Sequence, residues 1–376
     1  MDANGSKPIL EAINIEVERG GALILSVPSL LIGEGEILSL IGPNGAGKTT
    51  LLQTLSYLLK PVQGEIFFKN EKVNSKPSVF EYRRKIAMVF QEPLLFDTTV
   101  FGNVASGLKI RGMDRMEIRN RVMEQLDRLR IGHLSGRSAK TLSGGEAQRT
   151  SLARAFAIQP EVLLLDEPFA SLDPPSRESL IEDLESILRQ TRTTTIFATH
   201  DRLEALRLSD RVAVMHEGRV LQIGSPEEVM NHPVNEFVAS FVGVETILSG
   251  RVIKRNGGAF VVSVSGQEIE AVGEGHLGET VLLCIRPENV TLSTRSSQEG
   301  TSARNVFPGR IEKILSLGLY QRVQLNCGFP LVAYVTHHSL ENLSLQVGGE
   351  VTASFKATAI HVVRRKEIEL QRGEMG

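Results

Sequence analysis

The first half of the chain contains short runs of apolar and β-branched residues that stop abruptly at polar residues. The clearest are 37–41 (ILSLI), 161–165 (EVLLL) and 193–198 (TTTIFA). Residues 176–192 lie between the last two runs and have helical spacing of apolar positions. Short buried strands that alternate with helices predict an α/β domain whose parallel sheet is covered on both faces.

Two other patterns refine this domain. Residues 9–41 alternate β-rich runs with Gly-Gly and Gly-Glu turns, which predicts a small antiparallel layer ahead of the parallel strands. Residues 113–131 predict an amphipathic surface helix, because apolar side chains recur at helical spacing between charges. Those apolar positions are Ile118, Val122, Leu126 and Leu129.

The pattern changes after about residue 245, where short β runs and glycine turns predict small all-β, barrel-like modules. The stretch GRVIK at 250–254 recurs as GRIEK at 309–313, and 284–290 recurs loosely at 354–360. These repeats predict two related β-modules, at about 246–295 and 302–365, with an insertion at 337–346 in the second. We therefore expect a first domain at 1–240 and a β-domain at 245–376.

Composition sets broad limits on function. The chain has 376 residues, 41% hydrophobic and 23% charged, with a formal net charge of −2. This balance is typical of a globular protein and provides no overall basic field for nucleic acid. Cys284 and Cys327 lack metal-ligand spacing. Because no run reaches the roughly 18–20 apolar residues of a membrane span, we expect a cytosolic chain that meets a membrane only through a partner.

The stretch GPNGAGKTT, at 42–50, follows the first apolar run and fits the phosphate-loop pattern G-x-x-x-x-G-K-[ST]. Glycines let backbone N–H groups surround an anion at a helix N-terminus. Lys48 can reach the β- and γ-phosphates, and the Thr49 hydroxyl can bind Mg²⁺. A chance glycine turn is the alternative interpretation. The predicted ATP-binding residues here are Gly42, Pro43, Asn44, Gly45, Ala46, Gly47, Lys48, Thr49 and Thr50.

Two further elements suggest triphosphate hydrolysis. Asp166 ends a strand and can hold Mg²⁺, and the adjacent Glu167 can deprotonate or orient the attacking water. Ser143, Gly144 and Gly145 begin a helical run and form a second candidate phosphate-binding end. Since one nucleotide needs only one such loop, we expect a head-to-tail homodimer in which this end closes over the nucleotide of the other subunit.

These residues resemble an ABC-transporter ATPase, a P-loop NTPase, over residues 9 to about 240. LSGGE at 142–146 is similar to the family signature, Gln91 to the Q-loop, 171–173 to the D-loop and His200 to the switch histidine. The resemblance implies a helical subdomain at about 95–160, catalytic roles for Gln91, Glu167 and His200, metal contact by Gln91, and a dimer contact at Asp173.

One feature departs from that family. Many relatives place an aromatic residue before the phosphate loop to stack on adenine, whereas this chain has EVERGG at 16–21. Arg19 could stack on the base; the alternative is a solvated arginine. Base selectivity is therefore left open.

The stretch 200–215 is similar to bacterial and archaeal importers. The resemblance implies a peripheral subunit at the cytoplasmic face of the membrane, bound to an integral-membrane permease near 92–112, and indirectly served by an extracytoplasmic solute-binding protein.

The stretches 302–305, 335–339 and 355–360 resemble the OB-like TOBE fold in its Mop, molybdate-binding, version. Their donors suit a tetrahedral oxyanion and point to molybdate or tungstate as cargo and as a possible regulator. The alternatives are a structural barrel in an importer of sulfate, sugar or polyamine, and a cytosolic oxyanion sensor or store with a vestigial ATPase. The candidate oxyanion residues are Ser302, Arg304, Thr336, Ser339 and Lys356.

Overall fold

A computed structural model describes residues 8–74, 76–294 and 302–364. The chain divides into two compact units, Met1–Pro226 and Glu227–Gly376. The second unit begins well before the boundary expected near 245. The reason is local contact: the Arg286 guanidinium donates to the Met230 carbonyl, and His361 Nε2 lies 2.9 Å from the Pro233 carbonyl oxygen. The predicted end of the β-domain, 365–376, lies outside the described residues.

The first unit is built on one ten-stranded sheet, in the order β5-β4-β1-β2-β10-β9-β3-β8-β7-β6. The strands are β1 (Pro8–Arg19), β2 (Ala22–Gly33), β3 (Ile37–Ile41), β4 (Gln63–Phe68), β5 (Glu71–Lys72), β6 (Ile86–Val89), β7 (Val162–Asp166), β8 (Thr194–Thr199), β9 (Arg211–His216) and β10 (Arg219–Gly224). The helices are α1 (Lys48–Leu55), α2 (Lys76–Lys85), α3 (Val100–Ile110), α4 (Arg115–Arg128), α5 (Gly144–Ala157), α6 (Pro174–Thr191) and α7 (Arg202–Leu208).

The parallel strands at the centre of this sheet explain where the site forms. Every residue of β3, β7 and β8 is buried, which is why their sequences are almost continuously apolar or β-branched. Ile41 pairs with Thr199, and Asp166 pairs with Ala198. The carboxyl ends of the three strands are therefore level, and the loops that follow them meet at one edge of the sheet.

The resemblance implies a helical subdomain, and three helices of the first unit form one. The helices α3, α4 and α5 pack together on an apolar core, and the Asp114 carboxylate caps α4 by accepting from two backbone N–H groups. The predicted amphipathic helix is confirmed, because its apolar stripe is buried in this core: Ile118, Val122, Leu126 and Leu129. Within the described ranges, none of the helices is both long and apolar enough to cross a bilayer.

The second unit contains two five-stranded sheets. Its strands are β11 (Thr246–Asn256), β12 (Ala259–Val264), β13 (Gln267–Val272), β14 (Thr280–Ile285), β15 (Thr291–Ser293), β16 (Asn305–Ser316), β17 (Gln321–Asn326), β18 (Pro330–Val335), β19 (Glu350–Phe355) and β20 (Ile360–Arg364). The helices are α8 (Pro226–Asn231), which begins at the unit boundary, α9 (Glu236–Phe241) and α10 (His337–Asn342), and α10 falls in the predicted insertion.

The two sheets correct the predicted module bounds. Their orders are β13-β12-β11-β14-β20 and β15-β19-β16-β17-β18, so each half of the repeat gives its last strand to the sheet of the other half. The repeat itself is visible in the backbone, because β11 and β16 both have a register shift just after the GR pair, at Val252/Lys254 and at Ile311/Lys313. One short turn follows β14 and another follows β19, and each carries the chain across to the other sheet.

Candidate active site

The phosphate loop connects β3 to α1, and two of its positions require glycine, one because of its backbone conformation and one because of close packing. Gly47, the residue before α1, has φ 97°, a left-handed conformation that favours glycine. A Cβ on Gly42 would lie 2.3 Å from the Met215 carbonyl oxygen. Lys48 Nζ donates to the carbonyls of Gly42, at 2.8 Å, and Pro43, at 3.1 Å. The lysine therefore reaches back across the loop that it follows.

Two of the three candidate magnesium residues, Thr49 and Asp166, are in direct contact, while Gln91 lines the cavity beside Thr49. Thr49 Oγ1 donates to Asp166 Oδ1 at 2.9 Å. Burial raises the pKa of Asp166, and the hydrogen bond from Thr49 partly opposes that rise. Hydroxyl and carboxylate oxygens are the ligands that Mg²⁺ prefers, usually together with substrate phosphates and water. The residues present therefore fit Mg²⁺ beside the phosphate loop.

Glu167 links the lysine to the switch histidine. Its Oε1 lies 3.4 Å from Lys48 Nζ, and its Oε2 lies 2.7 Å from His200 Nδ1. The Glu167 backbone is left-handed, with φ 46°, and its N–H donates to the Ala198 carbonyl at 3.0 Å. This bond to β8 holds a non-glycine residue in a disfavoured conformation, with its carboxylate facing the lysine.

These groups line a cavity of about 530 Å³. Its walls are Asn44 to Thr50 of the loop, Gln91 after β6, Glu167 and His200, together with Ile24 and Ala170. Sequence analysis missed Ile24, which lies on β2. No local signal marks it, because β2 is brought to the loop by a long-range contact in which the Ser26 N–H donates to the Gly218 carbonyl at 2.8 Å.

The signature residues Ser143, Gly144 and Gly145 do not line this cavity. They form the N-terminus of α5, where Ser143 and Glu146 make a reciprocal capping box. Asp173 is also outside the cavity wall; it caps α6, and its hydrogen bond with Ser176 lowers its pKa. Within one subunit, therefore, the two predicted phosphate-binding ends are not brought together.

The five candidate oxyanion residues separate into two groups. Ser302, Arg304 and Lys356 line one cavity of about 500 Å³. Thr336 and Ser339 do not line it. They lie at the start of α10, where Thr336 Oγ1 accepts from the Ser339 N–H at 3.1 Å and caps the helix. The prediction grouped hydroxyl residues by chemical type, and the structure gives these two a capping role.

A glycine-lined phosphate loop after β3, a histidine after the neighbouring strand β8 and paired carboxylates at the end of β7, the strand beyond it, define a nucleoside triphosphatase of the phosphate-loop class. Two family models match the chain: ABC transporter over residues 25–170, and TOBE domain over 301–362. The chain is 40% identical to the molybdate/tungstate import ATP-binding protein WtpC of Pyrococcus horikoshii, covering 88% of this chain and 93% of the relative. It is 33% identical to the spermidine/putrescine import ATP-binding protein PotA of Desulfitobacterium hafniense, covering 96% and 99%.

Solved structures agree with this class. CbiO1 of Clostridium perfringens, part of an ABC transporter complex, matches with a TM-score of 0.56 at 33% identity, covering 64% of this chain and 96% of that one. The ATP-binding cassette MJ0796, solved as a dimer bound to ADP and Pi, matches with a TM-score of 0.53 at 30% identity, covering 58% and 98%. The chain belongs to the ABC transporter family, as an ATP-binding subunit with a C-terminal TOBE domain.

Proposed function

We propose that this chain hydrolyses ATP to power the import of molybdate or tungstate through a separate membrane permease. The observation that carries the hydrolysis is the convergence of Lys48, Thr49, Asp166, Glu167 and His200 at one edge of the sheet. The cargo is inferred from relatives whose names include molybdate and tungstate and which match most of the chain.

The roles of the residues follow from their contacts. Glu167 accepts the proton of the attacking water, since its carboxylate is the basic group that faces the cavity beside the lysine. Lys48 and His200 stabilise the negative charge that develops on the transferred phosphoryl group. Gln91 orients the water and contacts the metal. Thr49 and Asp166 would hold Mg²⁺, which would supply positive charge against the phosphates when bound.

The site is completed by a second copy of the chain. Ser143 and the glycines after it lie at an exposed helix N-terminus away from their own cavity, as expected if they act on the partner's nucleotide. The test is sedimentation of Glu167→Gln with MgATP, alone and with the Ser143→Arg change. We expect dimers of the first protein and monomers of the second. Monomeric Glu167→Gln at saturating MgATP, also with its permease present, would contradict the dimer.

Permease contact is proposed just after Gln91, in the segment from 92 to 112. Leu94 and Phe96 are 62% and 57% exposed there, which leaves two large apolar side chains on the surface. The Asn103 side chain holds this segment by bonding both the N–H and the carbonyl of Phe96. This arrangement would locate the subunit at the cytoplasmic face of the membrane, because the relatives are named import ATP-binding proteins.

The cargo can be tested with vesicles that contain the permease. ATP hydrolysis is measured with the solute-binding protein loaded with molybdate, tungstate, sulfate or spermidine, and Glu167→Gln is the inactive control. Stimulation by molybdate or tungstate supports the proposal. Stimulation by spermidine alone would favour the second candidate, a polyamine importer, which the PotA relatives motivate.

We also propose that the second unit binds the oxyanion at the cavity of Ser302, Arg304 and Lys356. In this cavity Arg304 Nε lies 3.5 Å from Glu270 Oε1, so one carboxylate only partly offsets two cations. At the offset that relates Gly250 to Gly309, Arg304 corresponds to Glu245. The Glu245 carboxylate accepts hydrogen bonds from Arg322 Nε and Tyr334 Oη. In the first half of the repeat, the position that corresponds to Arg304 is therefore already occupied by a carboxylate of the protein itself.

The oxyanion site is tested by calorimetric titration of the full chain with molybdate, tungstate and sulfate. We expect Arg304→Ala and Lys356→Ala to weaken binding at least tenfold. The control is Lys254→Ala, an exposed lysine of the same unit that pairs with Glu268 outside this cavity. Equal loss in all three variants, or no binding to the native chain, would contradict this site without affecting the proposal for ATP hydrolysis.

A further inference from the structure

The two neighbours of His200 in the chain, Thr199 and Asp201, belong to a hydrogen-bond network that includes Arg177 of α6. Arg177, in the first turn of α6, donates through Nε to Glu204 Oε1 at 2.9 Å and through Nη2 to the same oxygen at 2.6 Å. The same guanidinium also bonds the Asp201 carboxylate. Thr199 donates its hydroxyl to Glu204 Oε2 and accepts from the Asp201 N–H at 3.0 Å. Asp201 is therefore bonded to Arg177 directly, and Thr199 is connected to it through Glu204.

The centre of this network is a buried charge. Glu204 is only 5% exposed, and burial raises its pKa. Its two carboxylate oxygens are divided between Arg177 and Thr199. A carboxylate in such a place tolerates little displacement of its cation, because the cost of an unpaired buried charge is high. The position of the first turn of α6 therefore restrains the backbone on either side of His200.

The first turn of α6 also borders the signature. A Cβ placed on Gly145 would lie 3.8 Å from Ser176 Cβ, and one placed on Gly144 would lie 3.7 Å from the Ser171 carbonyl oxygen. The turn thus lies between the element that is proposed to contact the partner's nucleotide and the histidine that faces its own nucleotide. Arg177 is the side chain of this turn that bonds Glu204 and Asp201.

We propose that Arg177 is a positioning residue that holds His200 against Glu167 and makes its position depend on the first turn of α6. The inference rests on the proposed ATP hydrolysis. Arg177 does not line the cavity. Its action is indirect, through the Glu204 carboxylate and the two residues that flank the histidine.

The chain provides a matched control for a merely structural role. Arg207, on α7, also bridges α6 and α7: it bonds Glu178, and its Nε lies 3.1 Å from Glu185 Oε2. It resembles Arg177 in charge and in the helices that it joins, but neither Glu178 nor Glu185 adjoins His200. If bridging the helices were sufficient, the two arginines would be equivalent.

The experiment measures kcat and KM for MgATP in full-length Arg177→Gln and Arg207→Gln, each also combined with His200→Gln. We expect Arg177→Gln to lower kcat at least tenfold with KM changed less than threefold, and Arg207→Gln to change neither more than twofold. In the His200→Gln background, Arg177→Gln should cause little further loss, because both changes disable the same element. Arg177→Lys should have a kcat between those of Arg177→Gln and the native chain, since lysine keeps the positive charge but lacks the planar guanidinium that bonds two carboxylates.

The inference is overturned if Arg177→Gln lowers kcat by the same factor with and without His200, or if Arg207→Gln is equally damaging. If Arg177→Gln does not fold, the double variant R177M/E204Q, which removes both charges of this ion pair, replaces it. A folded double variant with native kcat also overturns the inference. Failure of the proposed function is recognised separately, because the native chain would then not hydrolyse MgATP at all.

Discussion

Replacement of Glu167 by glutamine isolates the contribution of one negative charge to hydrolysis. The amide has the same shape and retains a hydrogen-bonding group 2.7 Å from His200, but it cannot take a proton from water. Loss of a positioned general base typically costs about 10²–10⁴-fold in rate. At 1.36 kcal/mol per tenfold, that is about 3–5 kcal/mol of transition-state stabilisation. We therefore expect Glu167→Gln to lower kcat by about 10²–10⁴-fold.

Nucleotide binding should not fall with it. The native carboxylate lies 3.4 Å from Lys48 Nζ and competes with phosphate oxygens for that cation. Removing the charge frees the lysine and also removes a repulsive neighbour of the phosphates, so MgATP should bind Glu167→Gln as tightly as the native protein or more tightly. Equilibrium binding and steady-state hydrolysis measured on the same preparation separate the two effects.

A control comes from the opposite end of the same strand. Glu161, just before β7, pairs with Lys69 and Lys85 outside the cavity, so Glu161→Gln should retain native kcat. The assignment of Glu167 as the base would be wrong if Glu167→Gln kept kcat within tenfold of native while Glu161→Gln behaved identically. Weaker MgATP binding by Glu167→Gln would refute the argument about Lys48.

Three further results are expected. Asn305→Ala removes two hydrogen bonds to the Glu270 backbone, at 2.8 and 2.9 Å, and should lower the free energy of unfolding in urea by about 2–4 kcal/mol. Thr246→Val removes one hydrogen bond and should lower it by about 1–2 kcal/mol. Equal losses in the two variants would contradict this. Burial lowers the pKa of His361, so folding keeps it neutral and stability should decline as pH falls below about 6.5, a decline that His361→Gln should reduce in melting curves at several pH values. Gly42→Ala should weaken ATP binding at least tenfold in equilibrium titrations, because its Cβ would lie 2.3 Å from a carbonyl oxygen; native affinity would contradict the packing argument.

The candidate catalytic and phosphate-binding residues could be predicted because they lie at or beyond the carboxyl ends of recognisable strands. Lys48, Asp166 and His200 come after β3, at the end of β7 and after β8, and parallel strands bring their carboxyl ends together whatever the rest of the chain does. Sequence alone was therefore enough to predict that the candidate phosphate-binding and Mg²⁺-binding residues lie at one edge of the sheet. Ile24 could not be predicted, because β2 lies beside the phosphate loop through long-range contacts, such as the bonds of Gly218 with Ser26 and Ala46.

Polar residues outside the strand ends were harder to interpret. Thr336 and Ser339 have the right chemistry for an anion, but a hydroxyl before a short helix equally suits an N-cap, and that is the contact they make. The Arg177 network was also hidden, because it depends on α6 and α7 lying side by side while Arg177 and Glu204 are 27 positions apart in the chain. Residue type indicates what a side chain can do, and only packing determines which partner it meets.

The exchanged strands show the same limit at the level of a whole unit. A repeat in the sequence fixes the local path of each half, including the shared bulge in β11 and β16, but not which sheet receives the last strand. Here β15 pairs with β19 and β20 pairs with β14, so neither half completes its own sheet. A single apolar core contains buried residues of both halves, such as Phe260 and Phe355. The two repeats therefore cannot be independent modules, and a change at Asn305 or Thr246, which tie one half to the other, should be felt by both.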